Sequence, residues 1–287
     1  MPLSDEDQTC LDFRLVVDPV VPVFAYDLPT GRVHHFNVRA RHDTLTVTAE
    51  SLVVTRRYNP FAGLQMVSDD GEFYKRPKTR QMYAEYLTAT DRVPLHPETD
   101  RIAAVARRQM GAGTASFLIS LTRLLNRVLT YAPGATDVNT PLHRVLEQRK
   151  GVCQDFAHLM LAVCRRQGIP ARYISGYLYT GKRPEESVSE GSVSPEDSLA
   201  GEGLRLEEET IARGGLVSGD ATHAWVECLM PDGKWHGFDP TNSLVTNDYY
   251  VKVHYGRDYG DVPPLRGVYR GPAARTLEVS VSVTANG

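Results

Sequence analysis

The run Gly151-Val152-Cys153-Gln154-Asp155-Phe156-Ala157-His158-Leu159-Met160 sets a cysteine directly behind a glycine and a β-branched residue, where an apolar helical pattern begins. Gly151 permits a sharp approach to a helix, so Cys153 is expected in the first turn. The N–H groups there have no intrahelical acceptor, and the positive end of the helix dipole lies beside them; both stabilise a thiolate. A thiolate so placed is a nucleophile for a carbonyl carbon. Cys164 follows eleven positions later, in nearly the same direction but about 16 Å further along the axis. It is expected to be a small core residue. The four cysteines, Cys10, Cys153, Cys164 and Cys228, form no CxxC pair. That argues against a structural zinc site and against a disulfide framework.

A thiol nucleophile needs a base. His158 is nearest in sequence, but five positions along a helix is about 140° around it, so His158 cannot share the face of Cys153. The stronger candidate lies in Thr222-His223-Ala224-Trp225-Val226-Glu227-Cys228. Strand alternation puts Ala224, Val226 and Cys228 on one face, and His223, Trp225 and Glu227 on the other. Met230-Pro231-Asp232-Gly233-Lys234 then reads as a hairpin connection, with Gly233 suited to a left-handed position. If Met230 and Lys234 close the loop, His223 falls opposite position 241, and Asp239 lies two residues from that pair. Side chains can bridge that distance; a bulge would move the register by about one residue. A Cys on a preceding helix, then a His, then an Asp is the arrangement of an acyl-transfer triad: nucleophile, base and orienting carboxylate.

These residues need elements to hold them. Residues 11 to 60 alternate as strands do, in Leu11–Leu15, Leu45–Ala49 and Leu52–Thr55, with a turn at Asp27–Gly31. They predict an antiparallel β unit over residues 1–95. Helices are expected at Arg101–Met110, from Thr114 as cap to the Pro133-Gly134 stop, at Pro141–Gln148, and at 153–167 before Gly168-Ile169-Pro170. The last should turn Phe156, Met160 and Val163 inward. Strands are expected at Ala171–Tyr179, Thr222–Leu229, Lys234–Phe238 and Thr276–Thr284. Residues 181–220 interrupt them with eight Glu and two Asp against one Lys and three Arg, and without aromatics. They read as a mobile acidic insertion.

The 287 residues carry a formal charge of -3, which offers no long-range attraction to nucleic acid. The start of the chain is acidic where an export signal would be basic, and no apolar run of about 18 residues occurs. The expectation is a soluble, cytoplasmic protein without a membrane partner.

With these motifs in view, the chain resembles bacterial transglutaminase-like proteins. The likeness rests on Gly151–Met160, Gly168–Tyr177, Thr222–Glu227, Gly-Phe-Asp-Pro-Thr-Asn at 237–242 and the tail at 256–269. It extends to the N-terminal strands, which resemble the β unit that precedes the core in such proteins. The resemblance implies an α+β fold: a papain-like core over residues 96–287, with the Cys on a helix and the His and Asp on an antiparallel sheet. By motif position Cys153 would be the nucleophile, His223 the base and Asp239 the orienting carboxylate. No metal or organic cofactor is implied. The expected substrate is a peptide, protein or other amide, attacked to form a Cys153 thioester. An amine would resolve it as a transamidase, water as a cysteine protease or amidase. The alternative is a catalytically silent relative that binds or scaffolds. In papain-like folds a second oxyanion donor comes from a polar or aromatic side chain upstream of the Cys, which here points to Tyr131.

Overall fold

The computed structural model describes residues 1–57, 59–61, 64, 71–110, 113–181, 216, 222–271 and 276–285. The acidic insertion expected at 181–220 therefore lies, apart from Gly181 and Leu216, outside the described residues.

The N-terminal strands form two ribbons. Strand β1 (Gln8–Asp18) pairs antiparallel with β4 (Thr46–Thr55), Val17 opposite Val47. Between them in sequence, β2 (Val23–Leu28) and β3 (Gly31–Phe36) make a hairpin. Phe13 of β1 meets His34 of β3, with ring centroids 5.0 Å apart, so the inward row of one ribbon packs on the other.

Residues 73–86 depart from the β expectation. They form 3-10 turns at Phe73–Lys75 and Ala84–Tyr86 around a helix α1 (Pro77–Met82). Pro77 suits the first helical position, where no N–H is needed. Tertiary packing decides the rest: Tyr83 and Tyr86 meet the Trp235 ring edge-on at 5.8 and 5.3 Å. The buried Tyr74 hydroxyl donates to the Leu229 carbonyl.

The remainder is an α+β core. Helices α2 (Glu98–Met110), α3 (Thr114–Val128) and α4 (Leu142–Gln148) surround α5 (Cys153–Arg166). Two short parallel segments, β5 (Thr130–Tyr131) and β6 (Lys150–Gly151), bring the chain to α5. Behind α5 stands a five-stranded antiparallel sheet. It comprises β7 (Ala171–Leu178), β8 (His223–Leu229), β9 (Trp235–Asp239), β10 (Leu244–Val245) and β11 (Tyr250–Gly256), in the order β10-β9-β8-β7-β11.

Four local expectations are corrected. Gly113, not Thr114, occupies the cap of α3 and offers no side chain to it. That helix stops at Val128, before Pro133-Gly134, because the chain turns extended at Leu129 to pair with β6. The helix α5 is not amphipathic in its setting: every residue from Cys153 to Arg165 is buried, since helices cover the side away from the sheet. The strand expected at Thr276–Thr284 is not formed, for residues 276–285 carry no regular structure.

The N-terminal unit docks on β11 through polar contacts. The Gln8 side chain donates to the Lys252 carbonyl at 2.8 Å and accepts from its N–H at 2.7 Å. The Lys252 ammonium sits among Asp5 (2.5 Å), Asp7 (3.1 Å) and the buried Glu227 (3.1 Å). Glu227 also takes the Arg172 guanidinium at 2.5 Å. Among the described residues no helix is long and apolar enough to cross a membrane.

Candidate active site

Cys153 is the first residue of α5, and it is buried. Asp155 anchors that start: its carboxylate accepts from the Val152 N–H at 2.8 Å and from the Thr136 hydroxyl at 2.6 Å. The folded-back carboxylate lies where a side chain on residue 151 would be. A Cβ on Gly151 would come within 2.6 Å of it, so the glycine before the cysteine is a packing requirement. Burial pushes the Asp155 carboxyl up, against the opposing pull of these two hydrogen bonds.

The β8–β9 hairpin supplies the imidazole and carboxylate. Met230 and Lys234 close it, the Met230 N–H donating to the Lys234 carbonyl at 2.9 Å, with Gly233 at φ +80°. Leu229 opposes Trp235 and Val226 opposes Phe238 with no shift of register, so the one-residue offset allowed for a bulge does not occur. The two faces of β8 divide as alternation requires. Ala224, Val226 and Cys228 join the main core against α5, while Trp225 packs with Ile174, Leu178 and Tyr250 on the other side.

His223 Nε2 and Asp239 Oδ2 are 2.8 Å apart, and both side chains are fully buried. A carboxylate only accepts, so Nε2 carries the proton and donates it. Asp239 accepts more than that. Its Oδ2 also takes the Tyr250 hydroxyl at 2.8 Å and the Asn242 amide at 2.7 Å. Its Oδ1 takes the Thr241 and Asn242 N–H groups at 2.8 and 3.2 Å. Burial alone would raise the Asp239 carboxyl; the charge and hydrogen bond of His223, then Asn242 and Tyr250, bring it below its ordinary value. Burial alone would lower the His223 imidazole. Asp239, and after it Cys153, push it instead up to about 10. Its other nitrogen, Nδ1, is buried and has no hydrogen bond of ordinary geometry among the described residues. The Cys153 sulfur is close enough to act on the ring.

Each residue singled out in the sequence now has a place. Cys153, His223 and Asp239 come together. His158 does not join them: its Nε2 accepts the Tyr259 N–H at 3.2 Å, and burial pushes it down to about 4. Cys164 and Cys228 lie in the core, their sulfurs 3.7 Å apart. Tyr131 is half-buried against the core, and its backbone pairs with Gly151, two residues before Cys153. Two residues the sequence reading missed belong to the site. Asn242 had a signal, an Asp-Pro-Thr-Asn run in which an Asx turn brings its N–H back to Asp239. Tyr250 had none, because β11 reaches the site only through the fold. Among the described residues no three His, Cys, Asp or Glu side chains gather as a metal site.

Comparison with known proteins agrees with this architecture. Residues 103–240 match the transglutaminase-like superfamily, and residues 1–54 match the bacterial transglutaminase-like N-terminal region. An uncharacterised protein of Mycobacterium leprae is 32% identical over 285 residues, covering 99% of this chain and 89% of the relative. A protein-glutamine gamma-glutamyltransferase of Pseudomonas aeruginosa is 29% identical over 153 residues, 52% of this chain and 19% of that protein. Among solved structures, a proposed cysteine protease from Cytophaga hutchinsonii superposes with a TM-score of 0.58 at 22% identity, over 92% of this chain and 76% of that one. The two family matches, together with a relative alike over nearly the whole length, show that the chain belongs to the transglutaminase-like superfamily.

Proposed function

We propose that the protein is a thiol-dependent acyl-transfer enzyme acting on an amide carbonyl. The observation that carries this reading is the buried His223–Asp239 pair at 2.8 Å, with the second imidazole nitrogen unengaged and Cys153 beside it. In the proposed cycle the Cys153 sulfur attacks the carbonyl carbon. The imidazolium of His223 gives its proton to the leaving nitrogen as the C–N bond breaks, and a thioester and a free amine or ammonia result. His223 then takes a proton from the acceptor as it attacks the thioester, and returns it to the departing sulfur. An amine acceptor makes a new amide; water makes a carboxylate. Asp239 acts through His223, holding its tautomer and orientation. The N–H of Cys153 has no intrahelical partner, as the first residue of a helix, and it is the proposed first donor to the developing oxyanion. The Tyr131 hydroxyl is the proposed second.

The test is incubation with glutamine-containing peptides, with and without a primary amine, followed by mass measurement of the products. Transamidation adds the amine with loss of ammonia; hydrolysis yields deamidated or cleaved peptide. Cys153→Ala and His223→Ala should abolish either product. Peptide bound without turnover would replace the proposal by a silent binding role. Tyr131→Phe should lower turnover by about 10²-fold with alkylation of Cys153 unchanged; full turnover removes Tyr131 from the site.

A further inference from the structure

Residues 276–284, Thr-Leu-Glu-Val-Ser-Val-Ser-Val-Thr, alternate apolar and polar side chains over nine positions and are rich in β-branched residues. That is the signature of a strand with one buried face. Yet the segment carries no regular structure, and residues 276–285 make no backbone hydrogen bond to any other described residue of the chain. Leu277 is 79% exposed and Val279 55%.

The β1–β4 ribbon has the complementary deficiency. Among the described residues it has only two strands, so the outer edge of β4, and that of β1 beyond Cys10, lacks a partner strand, and two-stranded sheets are marginal alone. Its lengths of 11 and 10 residues can take a nine-residue partner. Its half-buried face runs through Val17, Leu15 and Phe13 with Val47 and Val53 beside them. A third strand whose Leu277, Val279, Val281 and Val283 point the same way would continue that row.

We propose that residues 276–284 of one copy add as a third strand to an outer edge of the β1–β4 ribbon of a second copy, so that the protein is a strand-exchanged dimer. Donor and acceptor lie on the same chain, so two copies satisfy each other reciprocally and the assembly closes under a two-fold axis. The exchange leaves no free donor segment, which is what separates it from open-ended strand addition.

The test is the molecular mass in solution of the full chain and of the double variants Val279→Pro/Ser280→Pro and Val281→Pro/Ser282→Pro, together with amide hydrogen exchange. In an added edge strand alternate N–H groups face the partner, so two adjacent prolines remove a ladder donor in either orientation. The expected result is a full chain at twice 31.9 kDa, with slowed exchange at 276–284 and along one ribbon edge. Both proline variants should be monomers that have lost that protection, with α5 as protected as before. A monomeric full chain overturns the proposal, whether the segment is free or folded onto its own ribbon. So does a dimer that survives both prolines, or one in which the segment exchanges freely.

Discussion

Asp239 receives hydrogen bonds from five donors: two backbone N–H groups, an amide, a phenol and an imidazole. So complete a set fixes the carboxylate in position and keeps it ionised, and the ionised carboxylate keeps His223 protonated. The consequence for stability follows from linkage. The folded imidazole is raised to about 10 from 6.5. Its stabilising contribution is therefore fully present below pH 6.5 and is lost as pH rises through about 10. Asp239→Asn should flatten this fall; urea midpoints taken across that range will show it, and an unchanged slope would reject the coupling. Tyr250→Phe removes one donor to the charged carboxylate. It should cost about 1.5–3 kcal/mol of stability and, by leaving more of the carboxylate charge to the imidazole, move the His223 titration upward, as followed by imidazole NMR. At this scale the sequence was informative wherever partners are close in the chain. Hairpin arithmetic from Met230 and Lys234 alone brought Asp239 to His223. Tyr250 stayed hidden because its approach depends on β11 crossing to the far side of β7.

Elements hold the site through close approach. At Gly176 on β7, an added Cβ would lie 2.1 Å from the Val251 carbonyl and 2.5 Å from the Trp225 ring. Trp225 in turn stacks on His223 at 6.2 Å and meets Tyr250 edge-on at 5.2 Å. Gly176→Ala thus forces either β11 or the indole to move. It should destabilise by about 3 kcal/mol, the upper end for overpacking, and displace His223. Thermal melts read the first effect, and a loss of Cys153 alkylation rate greater than in a variant of matched stability reads the second. The positions of α2, α4 and α5 and of the central strands were legible from periodicity and stop signals. What was not legible depends on partners distant in sequence. Residues 73–86 are helical because their tyrosines reach Trp235. The burial of α5 on every side comes from helices whose arrangement no periodicity reveals.

At the scale of the molecule, the N-terminal strands meet the core sheet through a cluster of charges. Lys252 holds Asp5, Asp7 and Glu227 together; burial alone would lower its ammonium, but these carboxylates keep it well above the ordinary lysine value. Asp7 and Glu227 are correspondingly held below theirs, despite burial. Their contribution is present above the ordinary carboxylate range, about pH 4, and is lost as pH falls through the lowered values. Lys252→Met strands Glu227 with Arg172 alone, and should cost about 3 kcal/mol and split one calorimetric transition into two. Arg32→Ala, which breaks an exposed pair with Asp27 on the β2–β3 hairpin, should leave the urea midpoint unchanged. This junction was invisible in the sequence, where Lys252 and Asp7 are ordinary surface types far apart. The enclosure of α5 has a further consequence for how such a molecule can change. A helix packed on all sides has no face that accepts a new charge or an insertion. Diversification of substrate preference is therefore expected on described connections between elements: residues 132–141 between β5 and α4, and 246–249 between β10 and β11. A library confined to those two stretches, with Thr136 kept, would vary the surroundings of the site while leaving Asp239 and its donors in place.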